Sequence, residues 1–164
     1  MVPSPPSEIP QSEKEAKLYY VGLPSRPILV ARSSTTLWKA PTGPEAYCKP
    51  KELRPVGNHA IKEVWEDNLA YKLHALLDSI EVKWTRTDVV RIGDTGECSA
   101  PVILWIGVMP ASLSADDGVV VACKCRELLE KKDITDVDVE IRESVVTRSA
   151  GRHQQNKCVL ERLD

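Results

Sequence analysis

The spacing of apolar residues along the chain predicts two amphipathic helices. Apolar side chains recur at three- and four-residue intervals between Asn58 and Ile80, with charged residues on the opposite face. The same period returns after Ser114 and continues to Leu129. Asn58 and Ser114 stand where an N-cap is needed, so we expect the two helices to begin there.

Four further segments have the patterns of strands. Residues 28–31 and 102–109 are continuous apolar runs, which are typical of strands buried on both faces. Residues 81–92 and 137–145 instead alternate between apolar and polar side chains, which predicts strands with one wet face. The element order is therefore strand, helix, strand, strand, helix, strand.

This order predicts an α+β fold, the ferredoxin-like βαββαβ two-layer sandwich with an antiparallel four-stranded sheet and two helices on one face. The two runs that are apolar on both faces would then be the central strands. Helices on one face leave the other face of the third strand to be covered by the N-terminal arm, by the crossover at residues 35–57, or by a second copy of the chain. Ile103, Trp105 and Met109 are the expected interaction residues if that face binds a partner or self-associates.

The ends of the chain differ in composition from its middle. Residues 1–24 are rich in Pro, Ser, Glu and Lys and predict a disordered arm, in which a short helix persists only if Leu18, Tyr19 and Tyr20 dock. We assign residues 25–148 to the α+β domain and residues 149–164 to a flexible tail. The proline-rich crossover at 35–57 predicts irregular backbone that either packs on the domain or carries a site.

Charge and cysteine content narrow the possible partners and compartments. Twenty-two Lys and Arg against 24 Asp and Glu give a net charge of -2, which argues against binding to nucleic acid. No apolar run approaches the roughly 20 residues needed to cross a bilayer, so we expect no membrane association. Five cysteines, an odd and unevenly spaced set, indicate reduced thiols and an intracellular protein of the cytoplasm or nucleus.

One cluster of ionisable residues lies at a predicted irregularity. Arg86 and Asp88 stand at the alternate positions of their strand that are otherwise apolar. This predicts a bulge that re-aims their side chains. With Arg32 from the first strand, they are the candidate ligand-binding residues of a site between the crossover and the second predicted strand. A solvated edge strand with weak surface ion pairs explains the same residues without a ligand.

The cysteines and histidines form no convincing metal or catalytic set. Cys123 and Cys125 point about 200° apart on a helix, so they cannot easily share a metal with His153 and Cys158. We therefore assign no metal, no cofactor and no catalytic residue.

Six segments of the chain resemble a widespread family of uncharacterised fungal proteins. They are SRPILVARSS (25–34), GPEAY (43–47), KEL (51–53), TDVVRIG (87–93), PVILWIG (101–107) and VEIRES (139–144). The resemblance covers residues 20–151 and brings no known catalytic residue. Longer members continue into a trypsin-like domain, which implies an N-terminal accessory module here, and the chain departs from the family after Gly151.

Three functions remain open on the sequence. The leading hypothesis is a non-enzymatic interaction or accessory domain that meets a protein partner or a second copy through the open sheet face. The first alternative is a small enzyme or ligand-binding protein with its site between the 35–57 crossover and the second strand. Nucleic-acid binding, the last alternative, requires a continuous basic surface despite the net charge of -2.

Overall fold

Five strands form one mixed sheet in the computed structural model, which describes residues 13–23, 26–36, 38, 50–96 and 99–144. The strands are β1 (Ile28–Arg32), β2 (Lys51–Arg54), β3 (Trp84–Asp94), β4 (Val102–Val108) and β5 (Asp138–Glu143). Their order across the sheet is β1-β5-β4-β3-β2, and the sheet curls into a half-barrel. Neighbouring strands are antiparallel except for β4 and β5, which run parallel.

The prediction of a ferredoxin-like sandwich is wrong, although the α+β class holds. The sheet has five strands instead of four, one of its pairings is parallel, and β1 lies at an edge while β5 is internal. The prediction took apolar character on both faces as the mark of a central strand. An edge strand can show the same pattern when separate elements cover its two faces, and the helices α1 (Glu13–Leu18) and α4 (Ala115–Glu130) both contact β1.

The prediction that β5 has one solvent-exposed face is also wrong. Its alternation of charged and apolar residues predicted a wet face, but Glu140 and Arg142 are each only 4% exposed. Their side chains are buried among polar partners, so the alternation marks two different buried environments. A polar position in a strand indicates solvent only when no other part of the chain covers it.

Strand β2 lies inside the segment for which the prolines predicted irregular backbone. It is four residues long, begins directly after Pro50 and ends directly before Pro55, and pairs with β3 at the sheet edge. Proline is tolerated next to an edge strand because only one side of such a strand takes part in the ladder. Residues 37 and 39–49 of the predicted crossover lie outside the described residues.

The helices follow the predicted periodicity closely. Helix α2 (Ile61–Val64) continues through a π-helical turn, Trp65–Leu69, into α3 (Ala70–Ser79), and α4 covers Ala115–Glu130. Ser114 caps α4 as predicted, because its Oγ accepts a hydrogen bond from the Asp117 N–H at 3.2 Å. The predicted cap at Asn58 is wrong: the Nδ1 atom of His59 accepts the Ile61 N–H at 3.0 Å.

The sheet separates two apolar clusters. The larger cluster lies under α2, α3 and α4 and includes Leu104, Ile106 and Ile141 from the internal strands. The smaller cluster lies on the other face, where Ile103 and Trp105 of β4 pack with Tyr20 and Leu23 from near the N-terminus. Among the residues that the structure describes, no helix combines the length and apolar character needed to span a lipid bilayer.

Candidate functional site

Residues 13–23, which we call the N-terminal segment, cover the sheet face opposite the large helices. The segment begins with the short helix α1 (Glu13–Leu18) and continues through a turn to Leu23. Tyr20 and Leu23 are 1% and 3% exposed. We call the sheet surface beneath them the arm face; its apolar residues are Leu29, Val90, Ile92, Ile103 and Trp105.

This docking answers the question of what covers the second face of β4. The sequence predicted a disordered arm at residues 1–24, with a short helix only if Leu18, Tyr19 and Tyr20 docked. Residues 13–23 meet that condition: Tyr20 is buried, and its ring packs edge-on against Trp105 with the ring centroids 5.5 Å apart. Residues 1–12 lie outside the described residues, as does the predicted tail at 149–164.

Glu140 of β5 binds both tyrosines of the segment. The Tyr20 hydroxyl donates to Glu140 Oε1 at 2.7 Å, and the Tyr19 hydroxyl donates to Oε2 at 2.8 Å. Both carboxylate oxygens are thereby occupied. A buried carboxylate with its oxygens hydrogen-bonded escapes much of the cost of leaving water.

Burial controls the ionisation of this cluster. It raises the pKa of Glu140, an effect that the two tyrosine hydroxyls and the nearby cations Arg32 and Lys51 partly offset. Burial also raises the pKa of Tyr20 well above its usual value, and the charge of Glu140 raises it further. The tyrosines therefore remain neutral hydrogen-bond donors at physiological pH.

A tight turn brings the segment against the edge strand β2. The Lys51 N–H donates to the Val21 carbonyl at 2.6 Å, so the segment satisfies a backbone group at the sheet edge. Gly22 has a φ of +101°, and a Cβ added there would lie 2.6 Å from Pro50 Cβ and 2.8 Å from the Lys51 nitrogen. Only glycine fits this position without displacing the segment or the strand.

The three candidate ligand residues do not converge on one point. Pairing across the sheet places Arg32, Glu140, Trp105 and Asp88 in one row on β1, β5, β4 and β3. Three strand spacings separate the ends of the row, about 14 Å between Cα atoms. Arg32 instead pairs with Glu15 of the segment at 3.0 Å, and its guanidinium carbon lies 5.0 Å from the centroid of the Tyr19 ring.

Arg86 and Asp88 do come together, at the predicted bulge. The register of β3 against β4 shifts between Trp84 and Arg86, so Arg86 stays on the arm face with Asp88, Val90 and Ile92, whereas Trp84 packs against the larger cluster. The Arg86 Nε donates to Asp88 Oδ2 at 2.9 Å, and Asp88 is only 2% exposed. Gly107 of β4 leaves room for this side chain, because a Cβ at Gly107 would lie 3.1 Å from Arg86 Cγ.

Arg142 contacts the same carboxylate. Its Nη2 lies 3.5 Å from Asp88 Oδ2, and its guanidinium carbon is 3.4 Å from the centroid of the Trp105 ring. Burial lowers the pKa of Arg142 to about 10, although the nearby charge of Asp88 acts to raise it. Asp88 therefore lies between two arginines: Arg86 contacts both of its oxygens, Arg142 approaches Oδ2, and these contacts link β3 to β5 across β4.

The residues expected to form an interaction face differ in their exposure. Ile103 and Trp105 are 2% and 4% exposed beneath the N-terminal segment, whereas Met109, just beyond β4, is 48% exposed. A partner can reach Ile103 and Trp105 only after the segment has left the sheet.

A pocket of about 190 Å³ opens where the segment, β2 and β3 meet. Tyr19, Lys51, Asp94 and Glu140 contribute its polar lining. Lys51 Nζ lies 3.2 Å from Asp94 Oδ1 and 5.2 Å from the centroid of the Tyr19 ring. The pocket lies between the crossover and the second predicted strand, but none of Arg32, Arg86 and Asp88 lines it.

The described cysteines and histidines occupy separate sites, whereas His153 and Cys158 of the rejected zinc set lie outside the described residues. Cys125 is buried under α4, where burial raises its thiol pKa to about 12, and Cys123 is exposed on the same helix. His74 stacks on Trp84 and hydrogen-bonds to Thr87 Oγ1 at 2.7 Å, while His59 pairs with Asp136 at 2.9 Å. Within the described ranges, no group of three or more His, Cys, Asp or Glu is arranged to hold a metal ion.

Sequence reasoning missed Glu140 and Arg142, which are central to the arm face. Both were read as solvent-facing positions of an alternating strand. The available signal was the Tyr19–Tyr20 pair in an otherwise polar arm, since two adjacent tyrosines that dock need a buried acceptor for their hydroxyls.

Comparison of the chain with protein-family models, with curated proteins and with solved structures gave no match.

Proposed function

We propose that this protein is a non-enzymatic interaction module in which a partner's peptide segment replaces the N-terminal segment on the arm face. The proposal rests on the contact between the N-terminal segment and the sheet. The segment's 11 described residues begin with a short helix, cover an apolar sheet surface and are held by hydrogen bonds to Glu140. A six-residue helix is not stable in water by itself, so its order depends on docking.

The contacts of the N-terminal segment define the chemistry of the partner. Two adjacent aromatic hydroxyls donate to Glu140, a backbone carbonyl accepts the Lys51 N–H, and an apolar side chain equivalent to Leu23 fills the cluster. A partner peptide of the type Tyr-Tyr-x-Gly-Leu supplies all of these groups. The same segment of a second copy of the chain also supplies them, so self-association on this surface proceeds by exchange of segments.

The resemblance to fungal proteins is consistent with this role. An N-terminal accessory module of a longer protein needs a surface that can change partners, and a displaceable segment provides one. We place the protein in the cytoplasm or nucleus, in keeping with the free thiols of Cys123 and Cys125.

The proposal is tested with the full-length chain and a synthetic peptide of residues 12–24. Gly22→Ala places a Cβ against β2 and releases the chain's own segment, so we expect this variant to bind the peptide about tenfold or more tightly than the wild type. Fluorescence anisotropy of the labelled peptide measures both affinities. Gly57→Ala is the matched control, because Gly57 also has a positive φ but a Cβ there meets nothing within 4 Å.

Two further measurements make the result decisive. A peptide with phenylalanine at both tyrosine positions should bind more weakly, because Glu140 then lacks its donors. A Tyr19→Ala, Tyr20→Ala double variant of the chain releases the segment by a different route. If both released variants fail to bind the peptide, the arm face is not a peptide-binding surface and the proposal is wrong.

A further inference from the structure

The pocket at the junction of the N-terminal segment, β2 and β3 is lined by a charged pair and by apolar side chains. Lys51 and Asp94 are direct partners in the β2–β3 pairing, and their side chains are 25% and 28% exposed. Ile92 and Ile103 contribute apolar surface to the lining. Glu140 also lines the pocket, but both of its oxygens already accept tyrosine hydroxyls, so a ligand meets the cation of Lys51, the carboxylate of Asp94 and an apolar surface within one small volume.

The Lys51–Asp94 ion pair has further hydrogen-bond donors and acceptors with which it can bind a ligand. An ammonium group has three donors, and a carboxylate has four lone-pair sites, so one contact at 3.2 Å leaves most of both sets unused. Because the pair is only partly buried, its remaining donor and acceptor positions are accessible to solvent. A molecule with both an ammonium and a carboxylate can bind at these positions and extend the pair into a ring of alternating charges.

The size of the pocket restricts the ligand. A cavity of about 150 Å³ holds benzene, so a pocket of about 190 Å³ accepts roughly eight non-hydrogen atoms. Nucleotides and dinucleotide cofactors are excluded, since sites for drug-sized ligands start at about 300 Å³.

We propose that this pocket binds a small zwitterion, an α-amino acid with an aliphatic side chain up to the size of valine. Its carboxylate binds Lys51, its ammonium binds Asp94, and its side chain lies against Ile92 and Ile103. This proposal does not depend on the peptide-binding function, because it concerns the chain with its N-terminal segment docked.

Isothermal titration of the full-length chain with L-valine tests the site. We compare valine with isovalerate, which lacks the ammonium, and with isobutylamine, which lacks the carboxylate. Each analogue should bind about tenfold or more weakly than valine, the usual loss when one charge-assisted hydrogen bond is removed. Equal binding of either analogue would show that the site does not recognise a zwitterion.

Substitutions locate the binding. Asp94→Asn and Lys51→Gln should each weaken valine binding about tenfold or more. Glu52→Gln and Arg54→Gln are the matched controls, since these residues form an ion pair on the same strand but do not line the pocket, and their affinities should stay within about twofold of wild type. The absence of saturable valine binding, or an equal loss in the control variants, overturns the proposal. The analogue series decides the question if a pocket variant does not fold.

Discussion

The hydroxyl of Tyr20 donates a 2.7 Å hydrogen bond to Glu140, which lies 120 residues further along the chain. Tyr20 belongs to the N-terminal segment and Glu140 to an internal strand, so the bond joins the start of the described chain to the middle of the sheet. Both residues are almost fully buried. The order of the segment and the solvation of the carboxylate therefore depend on each other.

Removing this hydroxyl should destabilise the protein. Tyr20→Phe leaves one oxygen of a buried carboxylate without its donor, and we expect the free energy of unfolding to fall by about 1–3 kcal/mol. Urea denaturation measures the change. Tyr71→Phe is the matched control, because Tyr71 is 77% exposed and its loss should change the stability by less than about 0.5 kcal/mol. Equal effects of the two substitutions would contradict the role of the buried bond.

The raised pKa of Glu140 predicts a pH dependence of stability. The folded state holds the proton more tightly than the unfolded state, where the pKa is near 4.5. The stability that this difference contributes is fully present below about pH 4.5 and is lost as the pH rises through the folded-state pKa.

Comparison with Glu140→Gln isolates this contribution. Urea denaturation at several pH values should show the wild type gaining stability relative to the variant as the pH falls toward 4.5. If the stability of the wild type relative to the variant is independent of pH, or grows as the pH rises, then burial does not raise the pKa of Glu140.

Asp88 is the next position where a single change should matter. Asp88→Asn leaves Arg86 and the buried Arg142 without their shared anion, and removing one partner of a buried ion pair costs about 3–5 kcal/mol. Thermal and urea unfolding measure the loss. Glu130→Gln serves as the control, because its contact with Arg126 is exposed and 3.9 Å long, and we expect a change below about 0.5 kcal/mol.

The turn at Gly22 can be tested against a glycine of similar conformation. Gly22→Ala and Gly57→Ala both put an alanine at positive φ, which costs about 1 kcal/mol through the backbone, but only the first adds a Cβ within 3 Å of β2. Hydrogen exchange should therefore speed up at Val21 and Leu23 in Gly22→Ala alone. Unchanged exchange there would mean that the segment tolerates the new contact.

Local pattern predicted most of the elements because each depends mainly on its own residues. The helix after Ser114, the helical run ending near Ile80 and the strand at 102–108 follow from periodicity and capping. The order of the strands was not predictable in this way. Whether β5 inserts between β1 and β4 is decided by pairing between residues far apart in the chain, and short strands carry little information about their neighbours.

The arm face was partly visible in the sequence. Charged residues at otherwise apolar positions predicted a bulge that re-aims Arg86 and Asp88; the structure has an irregularity between Trp84 and Arg86, but it is Trp84 that changes face. The burial of Glu140 was hidden, because a charged residue in an alternating strand has the same pattern whether it faces water or a docked tyrosine. Only the three-dimensional position of the N-terminal segment distinguishes the two.

Tyr19 belongs to two sites at once, since its hydroxyl binds Glu140 and its ring forms one wall of the pocket beside Lys51. A molecule that fills the pocket requires the segment in place, whereas a peptide that takes the segment's position removes that wall. The two ligands are therefore thermodynamic antagonists: each lowers the apparent affinity of the other by the same factor. Taken together, the two proposals describe a module that would report the concentration of a small zwitterion through the fraction of its arm face open to a partner.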